Sequence, residues 1–261
     1  MKCLYNEPVT RRDLQQHYYE EDCDPEFEIK RPRDCGRLYE YLIQTKFGVG
    51  LRVLNMPVAG TTMLEVCGGS GMMAEKFVRA GAIVTASDFS AAAVNRMRER
   101  ARRYSFSLNT MVADAENLPF ADREFNIVAV HDGLHHLEHP EKAIREMARV
   151  ANKGILIMDP TCAILTKLAV RLGIAEEVED AGNEVKRLDP RAVASILKDC
   201  GFEDVRWQRT LMYYPHEPGR VFRWFDNALA FATFRGLFIA ANIAIGRFGN
   251  KLALAATAGR V

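Results

Sequence analysis

The sequence predicts an α/β fold in which helices cover a mostly parallel β-sheet. Short apolar runs have the length of buried strands, and segments with helical periodicity separate them. Such alternation is typical of a parallel sheet with helices on its faces. A glycine-rich turn between the first run and the first helix points the same way. The predicted strands are residues 62–66, 82–87, 108–113, 125–130 and 154–158.

Three helices are predicted between these strands, at 72–80, 91–104 and 141–151. Ser90 is a good N-cap for the second, and Pro140 suits the first position of the third, which is predicted to end before residues 152–154, Asn-Lys-Gly. The second helix carries a run of arginines that predicts a solvated outer face. These are Arg96, Arg98, Arg100, Arg102 and Arg103.

The flanking segments are predicted to be mainly helical. Residues 1–61 are expected to form a helical cap, and 161–189 a helical insertion before a helix at 190–200 and a strand at 202–214. A second helical insertion is expected at 215–249, before a final strand at 251–258. Within it, the apolar stretch 219–249 is interrupted by polar residues, which argues against a membrane span. They are Asp226, Asn227, Arg235, Asn242 and Arg247.

Composition narrows the function classes. Hydrophobic residues are 48% and charged residues 26% of the 261 residues, as in ordinary globular proteins, so a single domain over 1–261 is expected. A formal net charge of +1 lacks the basic excess of a nucleic-acid binder, and no such partner is expected. The six cysteines form no CxxC pair and the N-terminus has no signal-like apolar run, which predicts a cytoplasmic location.

At residues 64–74 a strand runs into a glycine-rich turn and then a helix. Glycines let the backbone pass close beneath a ligand, because a Cβ would occupy the ligand's space. The stretch from Gly69 to Ala74 fits the G-x-G-x-x-A turn of dinucleotide-binding proteins. Asp88 ends the second strand, where a carboxylate can accept hydrogen bonds from ribose hydroxyls. An NAD(P)-dependent protein remains open on these residues alone.

Two further carboxylates favour a cofactor that carries an amino acid moiety. Glu65 lies ahead of the glycines, where it would attract an ammonium group and repel a pyrophosphate. Asp114 begins the run DAENLPF after the third strand and can accept a hydrogen bond from an adenine amine. The fourth strand ends in the polar run 131–140, HDGLHHLEHP, at the carboxyl edge of the sheet.

In this order the motifs resemble those of class I S-adenosylmethionine-dependent methyltransferases, in the subgroup that includes the ubiquinone and menaquinone C-methyltransferases. They are E-x-G-x-G-x-G at 65–71, the acidic strand end at Asp88, D-A-x-x-L-P-F at 114–120 and H-H-L-x-x-P at 135–140. Cys67 departs from the pattern because it stands at the first glycine position. A small thiol is tolerated there if the backbone is not left-handed.

The resemblance implies a Rossmann-like sheet of seven strands, with the last strand antiparallel and inserted between the fifth and the sixth. It implies S-adenosyl-L-methionine as cofactor and 62–160 as the cofactor-binding core. Glu65 would bind the methionine ammonium, Asp88 the ribose and Asp114 the adenine. The other cofactor-binding residues that it implies are Cys67, Gly68, Gly69, Gly71, Phe89, Ala115 and His131.

Methyl transfer depends mainly on alignment and exclusion of water, and a base is needed only if the acceptor loses a proton. Candidate bases are His131, Asp132, His135 and His136, of which His136 is expected to pack and cap its turn. His135 and His139 are spaced like helical metal ligands, but Pro140 begins a helix after them, so no metal site is expected.

The predicted reaction is methyl transfer to a small, hydrophobic acceptor, with the acceptor atom open among O, C and N. Residues 219–249 are expected to form much of the pocket wall, through Phe222, Phe225 and Phe238. A membrane-facing surface, a core helix pair and a homodimer contact are alternatives for this segment. An NAD(P)-dependent oxidoreductase and a non-catalytic S-adenosylmethionine-binding protein are alternatives for the function.

Overall fold

The computed structural model describes residues 13, 16–163, 187–215 and 218–259, so most of the insertion predicted at 161–189 lies outside the described residues. The described chain contains a seven-stranded sheet with the order β3-β2-β1-β4-β5-β7-β6. The strands are β1 (Thr62–Val66), β2 (Ile83–Asp88), β3 (Asn109–Val112), β4 (Phe125–His131), β5 (Ala151–Pro160), β6 (Asp204–Thr210) and β7 (Lys251–Thr257).

Strand direction follows the prediction. The strands β1 to β5 pair in parallel, whereas β7 pairs antiparallel with both β5 and β6. The Rossmann-like fold class and the place of the last strand are therefore confirmed. Because parallel strands point the same way, the carboxyl ends of β1, β2, β3 and β4 meet at one edge of the sheet.

Helices flank the strands, and the described chain also contains short π- and 3-10-helical turns. Ser90 Oγ accepts a hydrogen bond from the N–H of Ala93 at 3.2 Å, as expected of an N-cap. The helices are α1 (Pro25–Ile29), α2 (Arg37–Leu54), α3 (Met72–Arg79), α4 (Ala91–Arg103), α5 (Pro140–Val150), α6 (Pro190–Asp199), α7 (Arg220–Trp224) and α8 (Ala228–Ile245). The turns are Tyr18–Asp22, Pro32–Cys35, Leu134–His136 and Gly246–Phe248.

The end of α5 differs from the prediction. The helix begins at Pro140 as expected, but β5 starts at Ala151 with no intervening turn. Ala151 is already extended and pairs with Phe125 of β4. Residues 152–154 therefore belong to the strand, because pairing with the neighbouring strand overrides the local turn tendency of Asn and Gly.

Apolar cores cover both faces of the sheet. On one face α5 and α6 bury Ile144 and Leu197, and on the other α3 and α4 bury Phe77 and Met97. Each of these side chains is at most 1% exposed. Burial of one such side chain contributes about 1.5–3 kcal/mol. These cores leave the carboxyl edge of the sheet available for a site.

The arginine run on α4 is not wholly a solvated face, so that prediction was wrong. Arg100 is 1% exposed, and its Nε donates to the Ser70 carbonyl oxygen at 2.9 Å. Its guanidinium also contacts Glu75 Oε2 at 3.2 Å and the Glu28 carbonyl oxygen at 2.8 Å. Arg100 therefore ties the N-terminal segment to the glycine-rich turn, which sequence periodicity alone does not reveal.

Helix α8 is apolar on every side, yet no residue in it is buried. The stretch Ala228–Phe248 has a mean hydropathy of 1.7 and is long and apolar enough, by length and composition, to cross a membrane. The polar residues within 219–249 are therefore too few to exclude a membrane-spanning helix by composition, contrary to the prediction. One side of the helix faces α2, where the rings of Phe231 and Phe238 lie 5.5 and 5.7 Å from that of Tyr41.

Candidate active site

The turn between β1 and α3 forms an open cradle. Gly69 has φ +53°, in the left-handed region that favours glycine, and a Cβ there would meet only open space. Its N–H donates to Asp88 Oδ2 at 2.9 Å, while the N–H of Gly68 donates to the Ser87 carbonyl oxygen at 2.9 Å. Gly71, φ +77°, is the N-cap of α3. The turn is thus fixed to the end of β2 while its outer side stays open to a ligand.

Cys67 corrects one expectation. Its φ is +52°, so the thiol occupies a left-handed position, which costs an L-residue about 1–2 kcal/mol. Room for it comes from Gly133, where a Cβ would lie only 2.4 Å from Cys67 Cβ. Burial, together with the nearby Asp88 carboxylate, raises the pKa of the thiol well above its usual range. Cys67 is therefore a neutral, partly buried residue of the turn that packs against Gly133.

Glu65 is the most unusual group beneath the turn. It is 1% exposed, and among the described residues its Oε2 has no hydrogen-bond partner. Burial raises its pKa to about 8, although the N–H of Ala74 partly stabilises the charged form. A buried carboxylate oxygen without a partner is costly, and either protonation of the carboxyl group or a cationic partner would relieve that cost.

Asp88 lies at the carboxyl end of β2 and is 7% exposed. One oxygen accepts the N–H of Gly69 and the other accepts that of Ser90 at 3.0 Å. Burial nevertheless raises its pKa above the ordinary value. The half-buried Phe89 directly follows Asp88 in the chain.

Asp114 and Ala115 follow β3, the strand that pairs with the end of β2. Asp114 is half-buried, and its Oδ1 accepts the N–H of Glu116 at 2.9 Å, so one role of this carboxylate is to shape its own turn. Ala115 is 5% exposed and belongs to the core beside α5. The structure therefore brings Glu65, Asp88 and Asp114 to successive strand ends at one edge of the sheet.

A second polar cluster surrounds the end of β4. Asp132, with φ +46°, lies with Oδ2 2.6 Å from Lys46 Nζ and accepts the hydroxyl hydrogen of Tyr214 at 2.7 Å. Lys251 Nζ lies 3.4 Å from the other oxygen. Burial alone would raise the pKa of Asp132, but Lys251 and Lys46 outweigh it and hold that pKa well below its usual range. We call Lys46, His131, Asp132, Tyr214 and Lys251 the β4 cluster.

The other members of the β4 cluster are also strongly perturbed. Lys46 is 4% exposed, and burial lowers its pKa to about 8. Burial and the Asp132 carboxylate raise the pKa of Tyr214 well above its usual range. Burial, helped by Lys46, lowers the pKa of His131 to about 3, so its imidazole is neutral. Among the described residues its buried Nε2 has no hydrogen-bond partner, since Asp132 Oδ2 is 3.5 Å away.

His135 and His136 lie in the turn after β4. His135 is 3% exposed, and its Nδ1 is 2.7 Å from Asp159 Oδ1. Asp159, which is fully buried, also accepts the backbone N–H groups of Gly133, Leu134 and His135 at 3.0–3.2 Å. The His136 ring lies 4.0 Å from that of His135. Asp159 thus fixes the turn, and the catalytic role of His131, His135 and His136 stays a prediction.

Sequence reasoning missed Lys46, Tyr214, Lys251 and Asp159. A lysine in an amphipathic helix is usually a solvated residue, and nothing in the sequence around Lys46 marks it as buried. The alternating pattern of the last strand predicted that Lys251 lies in β7, but not that it contacts Asp132. Within the described ranges no group of three or more His, Cys, Asp or Glu residues is arranged to hold a metal ion.

Comparison with known families identifies the segment that carries these strand ends. Residues 64–158 match the family model Methyltransf_11, described as a methyltransferase domain. This segment is a methyltransferase domain. It includes the glycine-rich turn, Asp88, Asp114 and the β4 turn, but neither α2, β6 and β7 nor helices α7 and α8.

A relative of known name supports the same family. The chain is 35% identical over 119 residues to the ubiquinone/menaquinone biosynthesis C-methyltransferase UbiE of Pseudomonas putida, an alignment that covers 42% of this chain and 46% of the relative. The chain therefore spans about half the length of this curated relative.

Solved structures share the fold of the methyltransferase domain and its surroundings. Magnesium protoporphyrin IX methyltransferase from Synechocystis PCC 6803, solved with bound SAH, has a TM-score of 0.62 at 17% identity and covers 95% of this chain and 99% of that one. The [4+2]-cyclase SpnF has a TM-score of 0.59, also at 17% identity, and covers 85% and 83%. At such identities the likeness concerns the fold.

Proposed function

We propose that this protein transfers a methyl group from S-adenosyl-L-methionine to a small, hydrophobic acceptor. The observation that carries the proposal is the buried Glu65 carboxyl group, whose Oε2 lacks a partner among the described residues beneath an open glycine turn. An amino acid ammonium would complete this group, whereas a dinucleotide pyrophosphate would be repelled by it. The methyltransferase domain and the named C-methyltransferase relative support the same reading.

The strand ends divide the cofactor among them. Glu65 and the backbone from Cys67 to Gly71 would hold the methionine moiety, Asp88 the ribose, and Asp114 with Ala115 the adenine beside Phe89. Each carboxylate is held by backbone N–H groups or by burial, so it is oriented before the ligand arrives. When bound, S-adenosylmethionine supplies an electrophilic methyl group.

The acceptor side would be formed by the β4 cluster and by neighbouring aromatic side chains. We call these the aromatic wall; they are Tyr39, Tyr214, Phe222, Phe225 and Phe238. Tyr214 joins them: its hydroxyl donates to Asp132 and its ring lies 6.0 Å from Tyr39, which is 6.3 Å from Phe222. Two lysines against one carboxylate give the β4 cluster a positive excess that suits an electron-rich oxygen on the acceptor. The apolar remainder of the acceptor would lie along the aromatic wall.

The histidines would divide their tasks. His131 is neutral at physiological pH and would form a hydrogen bond at Nε2, but a pKa of about 3 makes it a weak proton acceptor. His135 would position the turn through Asp159, and His136 would pack upon it. A base is required only if the acceptor oxygen, nitrogen or carbon loses a proton.

Domain organisation and location follow as further parts of the proposal. Residues 1–61 would cap a single domain, with 62–160 as the cofactor-binding core and 161–189 and 215–249 as insertions around the acceptor. Helices α2, α7 and α8 provide support for the cap and the second insertion. The protein would be cytoplasmic, with a small molecule rather than nucleic acid as partner.

Calorimetry tests the cofactor assignment. Wild-type protein should bind S-adenosylhomocysteine and not NAD, whereas Glu65→Gln should bind S-adenosylhomocysteine at least about tenfold more weakly because a charged hydrogen bond is lost. Binding of NAD alone would favour the oxidoreductase. A second outcome is cofactor binding without methyl transfer, since a [4+2]-cyclase is among the proteins with a similar fold. If S-adenosylhomocysteine bound but no phenol, hydroquinone or amine accepted a labelled methyl group, a non-methylating function would be favoured.

A further inference from the structure

The outer face of α8 is an exposed apolar surface. Leu237 is 67% exposed and Ile243 is 82% exposed, and the helix carries only one charged residue, Arg235. A helix that is apolar all round is normally buried in a core or in a membrane. In this structure none of its residues is buried. We call the following exposed apolar residues the α8 face: Leu229, Ala232, Leu237, Ile239, Ala240, Ile243 and Ala244 of α8, together with Phe248.

The opposite side of α8 is fixed to the domain along its length. Near its middle Phe231 and Phe238 contact the ring of Tyr41. Near its end the Asn242 side chain accepts the N–H of Leu211 at 2.8 Å and donates to the Leu211 carbonyl oxygen at 3.0 Å. A helix held this way at both points lies flat on the domain. It can enter a membrane interface sideways, but it cannot cross the bilayer without leaving the domain.

A basic cleft adjoins the C-terminal end of the α8 face. It is an open cavity of about 620 Å³ whose lining includes Arg191, Arg209, Arg247, Trp207, Ile243 and Phe248. Ile243 and Phe248 belong to both surfaces, so the cleft and the α8 face are continuous. Within the described ranges no carboxylate forms an ion pair with these three arginines. Asp189, also in the cleft, accepts the backbone N–H of Arg191 at 3.0 Å as the N-cap of α6.

The other end of α8 has a similar composition. Helix α7 precedes it and carries Arg220 and Arg223, with Trp224 70% exposed and Val221 72% exposed. Tryptophan and arginine therefore flank the α8 face at both ends. This is the arrangement expected at a lipid–water interface, where arginines meet phosphates and tryptophans lie at headgroup level.

We propose that the α8 face binds an anionic phospholipid bilayer, with the apolar side chains in the acyl boundary and Arg191, Arg209 and Arg247 on the headgroup phosphates. The charge complementarity selects this occupant: a second copy of the chain would bring its own arginines against these, whereas anionic headgroups neutralise them. The inference does not depend on methyl transfer, since both surfaces lie outside the methyltransferase domain at 64–158.

Vesicle co-sedimentation of the full chain tests the apolar part. Wild-type protein should sediment with vesicles of phosphatidylglycerol and phosphatidylcholine, and much less with phosphatidylcholine alone. Leu237→Glu and Ile243→Glu should each lower binding at least tenfold. Ile83→Glu is the matched control, because Ile83 is 59% exposed at the start of β2 and far from α8, and it should bind as wild type. Circular dichroism establishes that each variant is folded.

The charged part is tested with paired arginines. Arg209→Gln with Arg247→Gln should lower the affinity for anionic vesicles about 10–25-fold, since each arginine near the surface contributes about fivefold, and should leave binding to neutral vesicles unchanged. Arg98→Gln with Arg102→Gln, in the other basic depression on α4, is the control and should have little effect. Inorganic phosphate at millimolar concentration should not displace the protein, which separates a bilayer from a free phosphate.

Three results would overturn the proposal. One is equal sedimentation of wild type and Ile243→Glu. Another is a wild-type dimer in sedimentation equilibrium that Ile243→Glu dissociates, without vesicle binding by either, which would make the α8 face a homodimer contact. The third is resistance of vesicle-bound protein to alkaline carbonate, which would indicate a spanning helix. None of these experiments involves the cofactor, so their results are independent of whether the protein is a methyltransferase.

Discussion

If Glu65 binds the cofactor as proposed, cofactor binding is linked to the protonation of a buried carboxyl group. Its pKa is about 8 in the ligand-free protein, so the group is largely protonated at pH 6–7. A ligand ammonium favours the charged carboxylate and lowers that pKa. Binding of S-adenosylhomocysteine below pH 8 should therefore release up to one proton, and the affinity should rise with pH by up to about tenfold per unit. Calorimetry at pH 6–8 in buffers of different ionisation enthalpy measures the release.

Glu65→Gln provides the control and a second readout. In the ligand-free protein the raised pKa stabilises the folded state at low pH, and this contribution is lost as the pH rises from 4.5 through about 8. The free energy of unfolding of the wild type should thus fall over this range more than that of the variant. Equal slopes in urea unfolding, with no buffer dependence of the binding enthalpy, would contradict the role of Glu65.

Asp88 accepts a hydrogen bond from the glycine-rich turn, and in the proposed function it also binds the ribose. Asp88→Ala should weaken S-adenosylhomocysteine binding at least about tenfold, because charge-assisted hydrogen bonds to the ribose are lost. Asp88→Asn keeps one acceptor for the N–H of Gly69 and should therefore retain more stability than Ala. Unchanged affinity of a folded Asp88→Ala protein in calorimetry would remove the ribose assignment. Asp114→Ala should cost less affinity, since Asp114 also shapes its own turn.

Lys46 should separate acceptor chemistry from cofactor binding. Lys46→Met leaves the glycine-rich turn intact, so S-adenosylhomocysteine affinity should stay within about twofold while turnover falls by about 10²–10⁴ if the β4 cluster handles the acceptor proton. Tyr214→Phe removes one donor to Asp132 and should cost less. Steady-state kinetics with the accepted substrate decide this. Loss of cofactor affinity in Lys46→Met would show that the β4 cluster is structural.

The carboxylates of the site could be predicted at the residue scale because each follows a strand in an ordered motif. Once the strands were predicted, their parallel order was enough to place Glu65, Asp88 and Asp114 at one edge of the sheet. The β4 cluster could not be found this way, since Lys46, Asp132 and Lys251 are far apart in the chain and only burial makes their charges interact. The left-handed backbone of Cys67 could not be predicted either, because the space for it comes from Gly133, in the turn after β4.

At the scale of elements, α7 and α8 should determine which acceptor fits. Three residues of the aromatic wall, Phe222, Phe225 and Phe238, pack against Leu38 and Met212. Replacing each of the three phenylalanines singly by Ala should raise the KM of the acceptor severalfold and leave the KM of the cofactor unchanged, because the glycine-rich turn lies outside this wall. Changes in stability alone, with both KM values intact, would make these helices structural.

Strands and helices differ in how far the sequence predicts them. Strand β1 is predicted to the residue, and the others to within a few residues, because buried apolar runs flanked by turn signals carry strong local information. Helices α7 and α8 lie within the predicted helical insertion at 215–249, but neither the bounds of α8 nor its packing was predicted. Since apolar residues surround it, no periodicity indicates which side meets α2. The buried side of α4 was not predictable either, because it includes arginines such as Arg100, which sequence patterns assign to the solvent.

At the scale of the whole molecule, the cofactor should stabilise the fold against heat. A ligand that binds only the folded state adds about 2.7 kcal/mol at one hundred times its Kd. For a chain of this length that corresponds to a rise in Tm of about 5–10 °C. S-adenosylhomocysteine should produce this rise in differential scanning calorimetry, whereas NAD should not, and Glu65→Gln at the same ligand concentration should show a smaller one. Protection by NAD alone would contradict the cofactor assignment.

The position of β7 has a consequence for biosynthesis. This strand follows every other strand in the chain, yet it lies inside the sheet, between β5 and β6, and Leu252 to Ala256 are almost fully buried. Until the ribosome has delivered Lys251–Thr257, β5 and β6 cannot join, and both present unpaired edges to other nascent chains. Lys251 arrives with the same strand, so Asp132 gains its second cation only when the sheet closes. The nascent protein is therefore most prone to aggregate just before the sheet is completed, and the β4 cluster is assembled last.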